Sequence, residues 1–446
     1  MNYAGKNVLV IGMARTGLAT AEYLIKRGAH VTLNDMKPET ACADEIARAG
    51  AIGAEAVVGG HPEEIFLRAD FIAISPGVPM ALPAIVKAQS RGIPVLGDME
   101  IAFDEMKGRV CAITGSNGKT TTTALTGRIF SDAGLKTVIA GNIGTPLISF
   151  MDHDSRDTWF VCEMSSFQLE SIDHFRPCIA SILNLTPDHL DRYNSFESYA
   201  DAKRRIYRNQ TTDDFLVLNG DDPLLRHEEA RSRTFLFSRK LQLKEGCFLQ
   251  GDGLMLSSRN GSGVLMPLAR IPLKGDHNIE NVMAAALMAH LAGIPSESIR
   301  RSVEEFRAVA HRLQFVATIR GVDFYNDSKA TNVDATIKAI ESFTGNLILI
   351  LGGKDKGGSY APIRDLCPSH VKLGILIGQA ADKIEAALTG ACPLARVGSL
   401  EKAVETGFER ATAGDTVLLA PACASFDMFH NFEHRGDVFM QAVRGT

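Results

Sequence analysis

Short apolar runs rich in β-branched residues alternate along this chain with longer stretches of helical patterning. Asn7-Val8-Leu9-Val10-Ile11 is the first such run, a pattern that suits a strand buried on both faces. Similar runs follow at Phe71-Ile72-Ala73-Ile74, Arg109-Val110-Cys111-Ala112-Ile113-Thr114, Phe160-Val161-Cys162-Glu163, 179–183, Leu347-Ile348-Leu349-Ile350-Leu351 and Thr416-Val417-Leu418-Leu419-Ala420. Strands alternating with helices predict an α/β fold with largely parallel sheets. The runs fall into three blocks, expected as domains over 1–97, 98–308 and 309–446. Between about 234 and 273 the pattern changes to short strands and Gly-rich turns such as Gln250-Gly251-Asp252-Gly253, which predicts a small antiparallel insertion closing the central block. An Ala-rich, amphipathic helix is expected over 277–291.

Bulk properties narrow the function classes. With 446 residues, 45% hydrophobic and 22% charged, each of several domains can bury a core. A net charge of -5 argues against a nucleic-acid binder held by a broad basic surface, but leaves local sites for small anions. The eight cysteines show neither a C-x-x-C pair nor zinc spacing, and read as reduced thiols. The first residues run straight into a strand, and no apolar run is long enough to cross a bilayer. A cytoplasmic monomer without membrane insertion is the expectation.

The sharpest chemical signal is Ile113-Thr114-Gly115-Ser116-Asn117-Gly118-Lys119-Thr120-Thr121, between a strand and a helix. Glycines let backbone N–H groups turn inward around phosphate oxygens, and the helix N-terminus adds positive potential. Lys119 reaches outer phosphates in such a loop, and a hydroxyl at Thr120 or Thr121 can bind Mg²⁺. Ile113 stands where the strict G-x-x-x-x-G-K-[ST] pattern has its first glycine.

Nearer the N-terminus, Gly12-Met13-Ala14-Arg15-Thr16-Gly17 opens a helix in the manner of G-x-G-x-x-G, with Ala14 in place of the second glycine. Asp35 ends the next strand, where a Rossmann acid meets a ribose, and Ser75-Pro76-Gly77 follows another strand. These residues suit a Rossmann-like domain gripping a nucleotide-linked substrate. A dinucleotide site, or a tight turn needed only for helix–sheet packing, would look the same. Glu163 ends one strand downstream of the phosphate loop and His189 lies beyond another; together they are candidate divalent-metal ligands, although Mg²⁺ prefers oxygen donors and each alone would also suit a satisfied polar residue at a strand end. Lys203, in a helical stretch, reads by spacing alone as a solvated lysine.

Together these segments resemble the Mur ligase family, whose phosphate loop is similar to Thr114-Gly115-Ser116-Asn117-Gly118-Lys119-Thr120. The resemblance covers the whole chain. Within the family it points to the branch that adds D-glutamate, on Glu163-Met164-Ser165-Ser166-Phe167-Gln168-Leu169-Glu170, Asn326-Asp327-Ser328-Lys329-Ala330-Thr331-Asn332, and Pro421-Ala422-Cys423-Ala424-Ser425-Phe426-Asp427-Met428-Phe429 through Arg435-Gly436. Departures are Ala14 for a glycine, Ala420 where the family often has Ser, and Met36-Lys37 after Asp35.

The resemblance implies an ATP-dependent ligase of peptidoglycan precursor synthesis that joins D-glutamate to UDP-N-acetylmuramoyl-L-alanine through an acyl phosphate. It implies a Rossmann-like first domain for the UDP, drawing on Arg15, Thr16, Asp35, Ser75 and Gly77, a central phosphate-loop domain, and a Rossmann-like third domain. It assigns residues 115–121 to ATP, with Asn278 and Asn281 near adenine and Arg312 and Asp327 from the third domain. Two Mg²⁺ ions would be held by Thr120, Glu163, His189 and a carbamylated Lys203, because a carbamate offers the hard oxygens Mg²⁺ prefers. Lys119, His189 and Lys203 would serve catalysis. Asn142 would meet the muramoyl side and Lys329 the phosphates, while Thr331, Lys356, Ser425, Phe426 and Phe432 would line the D-glutamate pocket. Taken without the resemblance, Asn278 and Asn281 could be helix-start caps, Ser425 another cap, and Lys354 and Lys356 are not separable.

Overall fold

A computed structural model describes residues 1–142, 144–189, 192–259, 261–307 and 309–445. The expected boundary at 308, and residues 143, 190 and 191 of the segments singled out above, lie outside the described residues. The chain divides into two compact units. One comprises Met1–Leu185, Glu197–Leu265 and Met283–Ser302, and the other Thr186–Phe196, Met266–Val282 and Val303–Thr446.

The first unit holds two sheets. Strands β1 (Asn7–Ile11), β2 (His30–Asp35), β3 (Glu55–Val58), β4 (Phe71–Ile74) and β5 (Val95–Gly97) form an all-parallel sheet in the order β3-β2-β1-β4-β5. The order reverses between β1 and β4, so the loops after these two strands flank the crevice where such sheets take ligands.

The second sheet contains β6 (Arg109–Thr114), β7 (Lys136–Gly141), β8 (Thr158–Glu163), β9 (Ile179–Ile182), β10 (Phe215–Asn219), β11 (Arg233–Ser238), β12 (Gly246–Gln250), β13 (Gly253–Ser258) and β14 (Gly261–Pro267). Its order is β14-β13-β12-β11-β10-β9-β6-β8-β7. Every residue of β8, and all of β6 after Arg109, is buried, which explains their unbroken apolar runs. Antiparallel pairing starts later than the sequence pattern implied: β11 and β12 still run parallel to β10, and β12–β13 is the antiparallel step.

The helix expected over 277–291 spans Asp276–Leu291. It is not amphipathic along its middle, because Val282 to Ala289 are all fully buried. Alanines let it pass through a crowded interior, where a helix is apolar all round.

The second unit carries a six-stranded sheet of β15 (Gln314–Ile319), β16 (Val322–Asn326), β17 (Leu347–Gly352), β18 (Val371–Ile377), β19 (Leu394–Arg396) and β20 (Thr416–Leu419), ordered β15-β16-β20-β17-β18-β19. Only β15 is antiparallel to its neighbour. One face packs Leu349, Leu351, Leu376 and Leu418, the other Ile348, Ile350, Val417 and Phe439. At about 1.5–3 kcal/mol per fully buried large side chain, these two layers are the main stabilising term of the unit. The loops after β16, β20 and β17 therefore emerge side by side.

Candidate active site

The N-terminal loop is built by close approach. Gly12 has φ 92°, and a Cβ on Gly17 would lie 1.7 Å from the Gly12 carbonyl oxygen, so only glycine lets helix Arg15–Lys26 start this near β1. The Ser75 hydroxyl donates to the Gly12 carbonyl at 3.3 Å, joining the two loops that flank the crevice. Asp35 braces the loop: Oδ2 accepts from the Met13 N–H and Oδ1 from the Lys37 N–H, each at 3.0 Å. Thr16 is half-buried, while Arg15 and Gly77 are exposed. Arg15 lines an open pocket of about 210 Å³ with Arg48, Thr145 and Pro146.

The phosphate loop sits between β6 and helix Lys119–Asp132, with Gly118 left-handed at the helix N-cap. Gly115, at φ 151°, crosses close to Leu183. Asn184, a residue the sequence did not single out, holds the loop open. Its Oδ1 accepts from the Asn117 N–H at 2.8 Å, its Nδ2 donates to the Asn117 carbonyl at 3.1 Å, and its own carbonyl accepts from the Ser116 N–H at 3.0 Å. Thr120 and Thr121 are buried in the first helical turn. The Lys119 ammonium donates to the carbonyls of Gly115 and Ser116, both at 2.8 Å.

Lys203 is not the solvated lysine its spacing suggested. It is 1% exposed, and its ammonium donates to the same Gly115 carbonyl at 2.8 Å. Tyr199, one helical turn earlier, places its ring 4.6 Å from that ammonium and donates its hydroxyl to Ser116 Oγ at 2.9 Å. Two lysine cations thus share one loop carbonyl. Glu163, at the end of β8, is 2% exposed. Its Oε1 accepts from Asn142 Nδ2 at 2.8 Å, while Oε2 is buried with no hydrogen-bond partner. A buried carboxylate oxygen is costly unless paired or bound to a cation. That orphan oxygen, beside a hydroxyl-bearing phosphate loop, suits a hard divalent ion. Among the described residues no three His, Cys, Asp or Glu side chains are grouped for a metal.

The remaining candidates belong to the second unit. His189 adopts φ 55°, with its Nε2 3.7 Å from Asp188 Oδ2, and Asn332 Nδ2 donates to the same Asp188 oxygen at 3.2 Å. Asn278 and Asn281 do not cap the helix. Asn278 donates back to the Lys274 carbonyl at 2.7 Å, and Asn281 donates to Asn278 Oδ1 at 3.0 Å. Burial pushes the Asp327 carboxyl up to about 6, against the opposing pull of Arg312 and the Leu313 N–H. Lys329 lays its ammonium 3.7 Å from the centre of the Phe432 ring. Thr331 follows on the same loop, and its N–H donates to the Lys329 carbonyl. Lys354 pairs its backbone with Ala424 and is exposed, whereas Lys356 is half-buried. Ser425 is buried, with Phe426 exposed beside it.

Arg435, quoted above only as part of a segment, is the hub of these loops. It is fully buried, and its guanidinium donates to Ser328 Oγ at 3.0 Å, the Ser328 carbonyl at 2.8 Å, the Cys423 carbonyl at 3.2 Å and the Ala424 carbonyl at 3.4 Å. Burial lowers its pKa to about 10, so it stays charged near neutrality.

Three family models match the chain in order: "Mur ligase MurD-like, N-terminal domain" over 6–97, "Mur ligase middle domain" over 113–289, and "Mur ligase, glutamate ligase domain" over 311–423. A UDP-N-acetylmuramoylalanine–D-glutamate ligase of Koribacter versatilis is 49% identical over 446 residues, covering 100% of this chain and 98% of the relative. The chain belongs to the Mur ligase family. The ligase of the same description from Acidobacterium capsulatum is also 49% identical, covering 99% of this chain and 97% of its own. Among solved structures, a UDP-N-acetylmuramate-alanine ligase from Thermotoga maritima aligns with a TM-score of 0.62 at 18% identity, over 99% of both chains. A pseudomurein peptide ligase type C from Methanothermus fervidus gives 0.62 at 20%, over 99% of this chain and 100% of the other. These two show that the Mur ligase fold persists where little sequence does.

Proposed function

We propose that this chain is the ATP-dependent ligase that joins D-glutamate to the carboxylate of UDP-N-acetylmuramoyl-L-alanine in peptidoglycan precursor synthesis. The observation that carries the reading is identity of 49% along essentially the whole length of a relative with that description. In this reading residues 1–97 bind the UDP, 98–308 the ATP and 309–446 the amino acid, in a cytoplasmic monomer.

A carboxylate is a poor acylating agent until one oxygen becomes a leaving group. Attack on the γ-phosphate of ATP gives an acyl phosphate and ADP. The amine of D-glutamate then adds to the acyl carbon, and the tetrahedral adduct expels phosphate. Phosphoryl transfer needs positioning and charge neutralisation more than covalent help. Loop residues 115–121 wrap the phosphates, and Lys119 leaves its two loop carbonyls to meet them. Asn278 and Asn281 orient the adenine, Arg312, Asp327 and Lys329 reach ATP from the third domain, and Asn142 meets the muramoyl side. Arg15, Thr16, Asp35, Ser75 and Gly77 hold the UDP. Thr331, Lys356, Ser425, Phe426 and Phe432 receive D-glutamate, with Lys356 as the cation for its side-chain carboxylate.

Thr120, Glu163, His189 and Lys203 would hold two Mg²⁺ ions, which neutralise phosphate charge when bound. Carbamylation of Lys203 would complete that set. It would replace one of the two cations on the Gly115 carbonyl by an anion, and so remove the electrostatic objection to a nearby divalent ion. A carboxylate labelled with heavy oxygen tests the chemistry. With both carboxylate oxygens labelled, one labelled atom is expected in the released inorganic phosphate and the other in the amide, and phosphate released without label would exclude the acyl phosphate.

A further inference from the structure

The loop that carries Lys356 follows β17 through two glycines with no room for a side chain. Gly352 and Gly353 have φ 125° and 136°, and their Cβ atoms would lie 1.9 Å from the Ile377 carbonyl oxygen and 2.2 Å from that of Ala424. Lys354 then pins the loop to the next one, with main-chain bonds of 2.8 and 3.1 Å to Ala424. Among the described residues no main-chain pairing to the sheet continues beyond this point, and Asp355 takes over. Its Oδ1 accepts from the Tyr360 hydroxyl at 2.9 Å and its Oδ2 from the Lys383 ammonium at 2.7 Å. The Gly357 N–H adds a further pull that favours the ionised carboxylate. Tyr360 is 2% exposed, and its oxygen lies 3.1 Å from Cys423 Sγ.

The direction of each bond follows from chemistry. Burial raises the Asp355 carboxyl, but the bonds from Lys383 and Tyr360, with the pull of the Gly357 N–H, outweigh it and hold it below the usual range. An ionised carboxylate only accepts, so the Tyr360 phenol donates to it and accepts the Cys423 thiol proton. Burial pushes the Cys423 thiol up to about 11, which keeps that proton in place. Lys383, Asp355, Tyr360 and Cys423 thus form one oriented chain across two loops and a helix. Lys356 directly follows Asp355, whose carboxylate is held by Tyr360 and Lys383.

We propose that Tyr360 and Lys383, acting through Asp355, are positioning residues that set Lys356 for the acceptor's side-chain carboxylate and so determine affinity for the amino acid. This rests on the assignment of Lys356 above. A flexible lysine loses rotamer freedom on binding, and an ordered loop lowers that loss.

The test uses the full-length enzyme with ATP and the UDP-linked substrate saturating and D-glutamate varied, for Tyr360→Phe, Lys383→Met and Lys356→Ala. Tyr360→Phe is expected to raise KM for D-glutamate about five- to tenfold, and Lys383→Met about two- to threefold, with kcat within about twofold and KM for ATP unchanged. Lys383 is a half-exposed surface group whose loss leaves the core intact, so it serves if Tyr360→Phe misfolds. Folded variants with unaltered KM for D-glutamate, or with kcat lowered and KM fixed, would overturn the proposal. If Lys356→Ala raises KM and these two do not, the positioning chain alone fails. If Lys356→Ala leaves KM unchanged, the assignment of Lys356 itself fails.

Discussion

Replacing Arg435 by methionine asks whether one buried cation organises the loops of the second unit. The guanidinium reaches four acceptors on two loops, and no other side chain among the described residues bonds both Ser328 and Cys423. Methionine fills much of the volume but donates nothing. Each buried acceptor left unsatisfied costs about 1–3 kcal/mol, and some of that is recovered by relaxation or entering water, so a net loss of about 3–5 kcal/mol is expected. For a unit of this size about 2–4 °C per kcal/mol applies, giving a fall of about 6–20 °C in melting temperature. Kinetics add a separate readout. The Ser328 side of the clamp carries Asp327, Lys329 and Thr331, and the Cys423 side carries Ser425. KM should therefore rise for both ATP and D-glutamate. Lysine, with the charge but no fork, should fall between. A folded Arg435→Met enzyme that melts within 2 °C or so of the parent with both KM values unchanged would refute the reasoning.

Other outcomes follow from single observations. Gly17→Val forces a side chain against the Gly12 carbonyl, so helix Arg15–Lys26 must move; a loss of about 1–3 kcal/mol or more and a raised KM for the UDP-linked substrate are expected in melts and kinetics. Glu163→Gln keeps the bond with Asn142 within reach but removes the buried charge; kcat should fall about 100-fold or more and the Mg²⁺ requirement should rise, checked by Mg²⁺ titration. Asp327, raised to about 6 from 3.8, binds its proton more tightly folded than unfolded. Its contribution is thus fully present below pH 4 and lost as pH climbs to 6. Asp327→Asn should remove that loss, up to about 3 kcal/mol, so chemical denaturation should show the variant gaining on the parent between pH 4 and 6 while ligase activity drops. Lys203→Ala should lose most activity and regain part of it with added formate or acetate, measured by ADP formation.

The architecture was legible where burial imposes a period. The runs at β1, β6, β8 and β17 read as strands because both faces of a parallel sheet are covered, and the phosphate loop was legible because its glycines answer a local steric demand. Register and pairing partners were not. Nothing local separates a parallel β11 and β12 from a hairpin insertion, since direction depends on where the chain returns. Helix Asp276–Leu291 looked amphipathic because alanine counts weakly as apolar, although every residue from Val282 to Ala289 is buried. The same blindness hid Lys203 and Arg435. A charged residue reads as solvated by spacing, and only three-dimensional neighbours show that both are interior groups tied to loop carbonyls. Asn184, Asp355 and Tyr360 had no signal beyond lying close to the run at 179–183 and to Lys354 and Lys356.

The most direct test of the central claim is phosphate release from ATP by the purified protein with Mg²⁺ and UDP-N-acetylmuramoyl-L-alanine, comparing D-glutamate with L-glutamate, L-alanine and diaminopimelate. Release that requires the UDP-linked substrate and occurs with D-glutamate alone is the predicted result. Release with a different amino acid, or turnover that ignores the acceptor, would contradict the account.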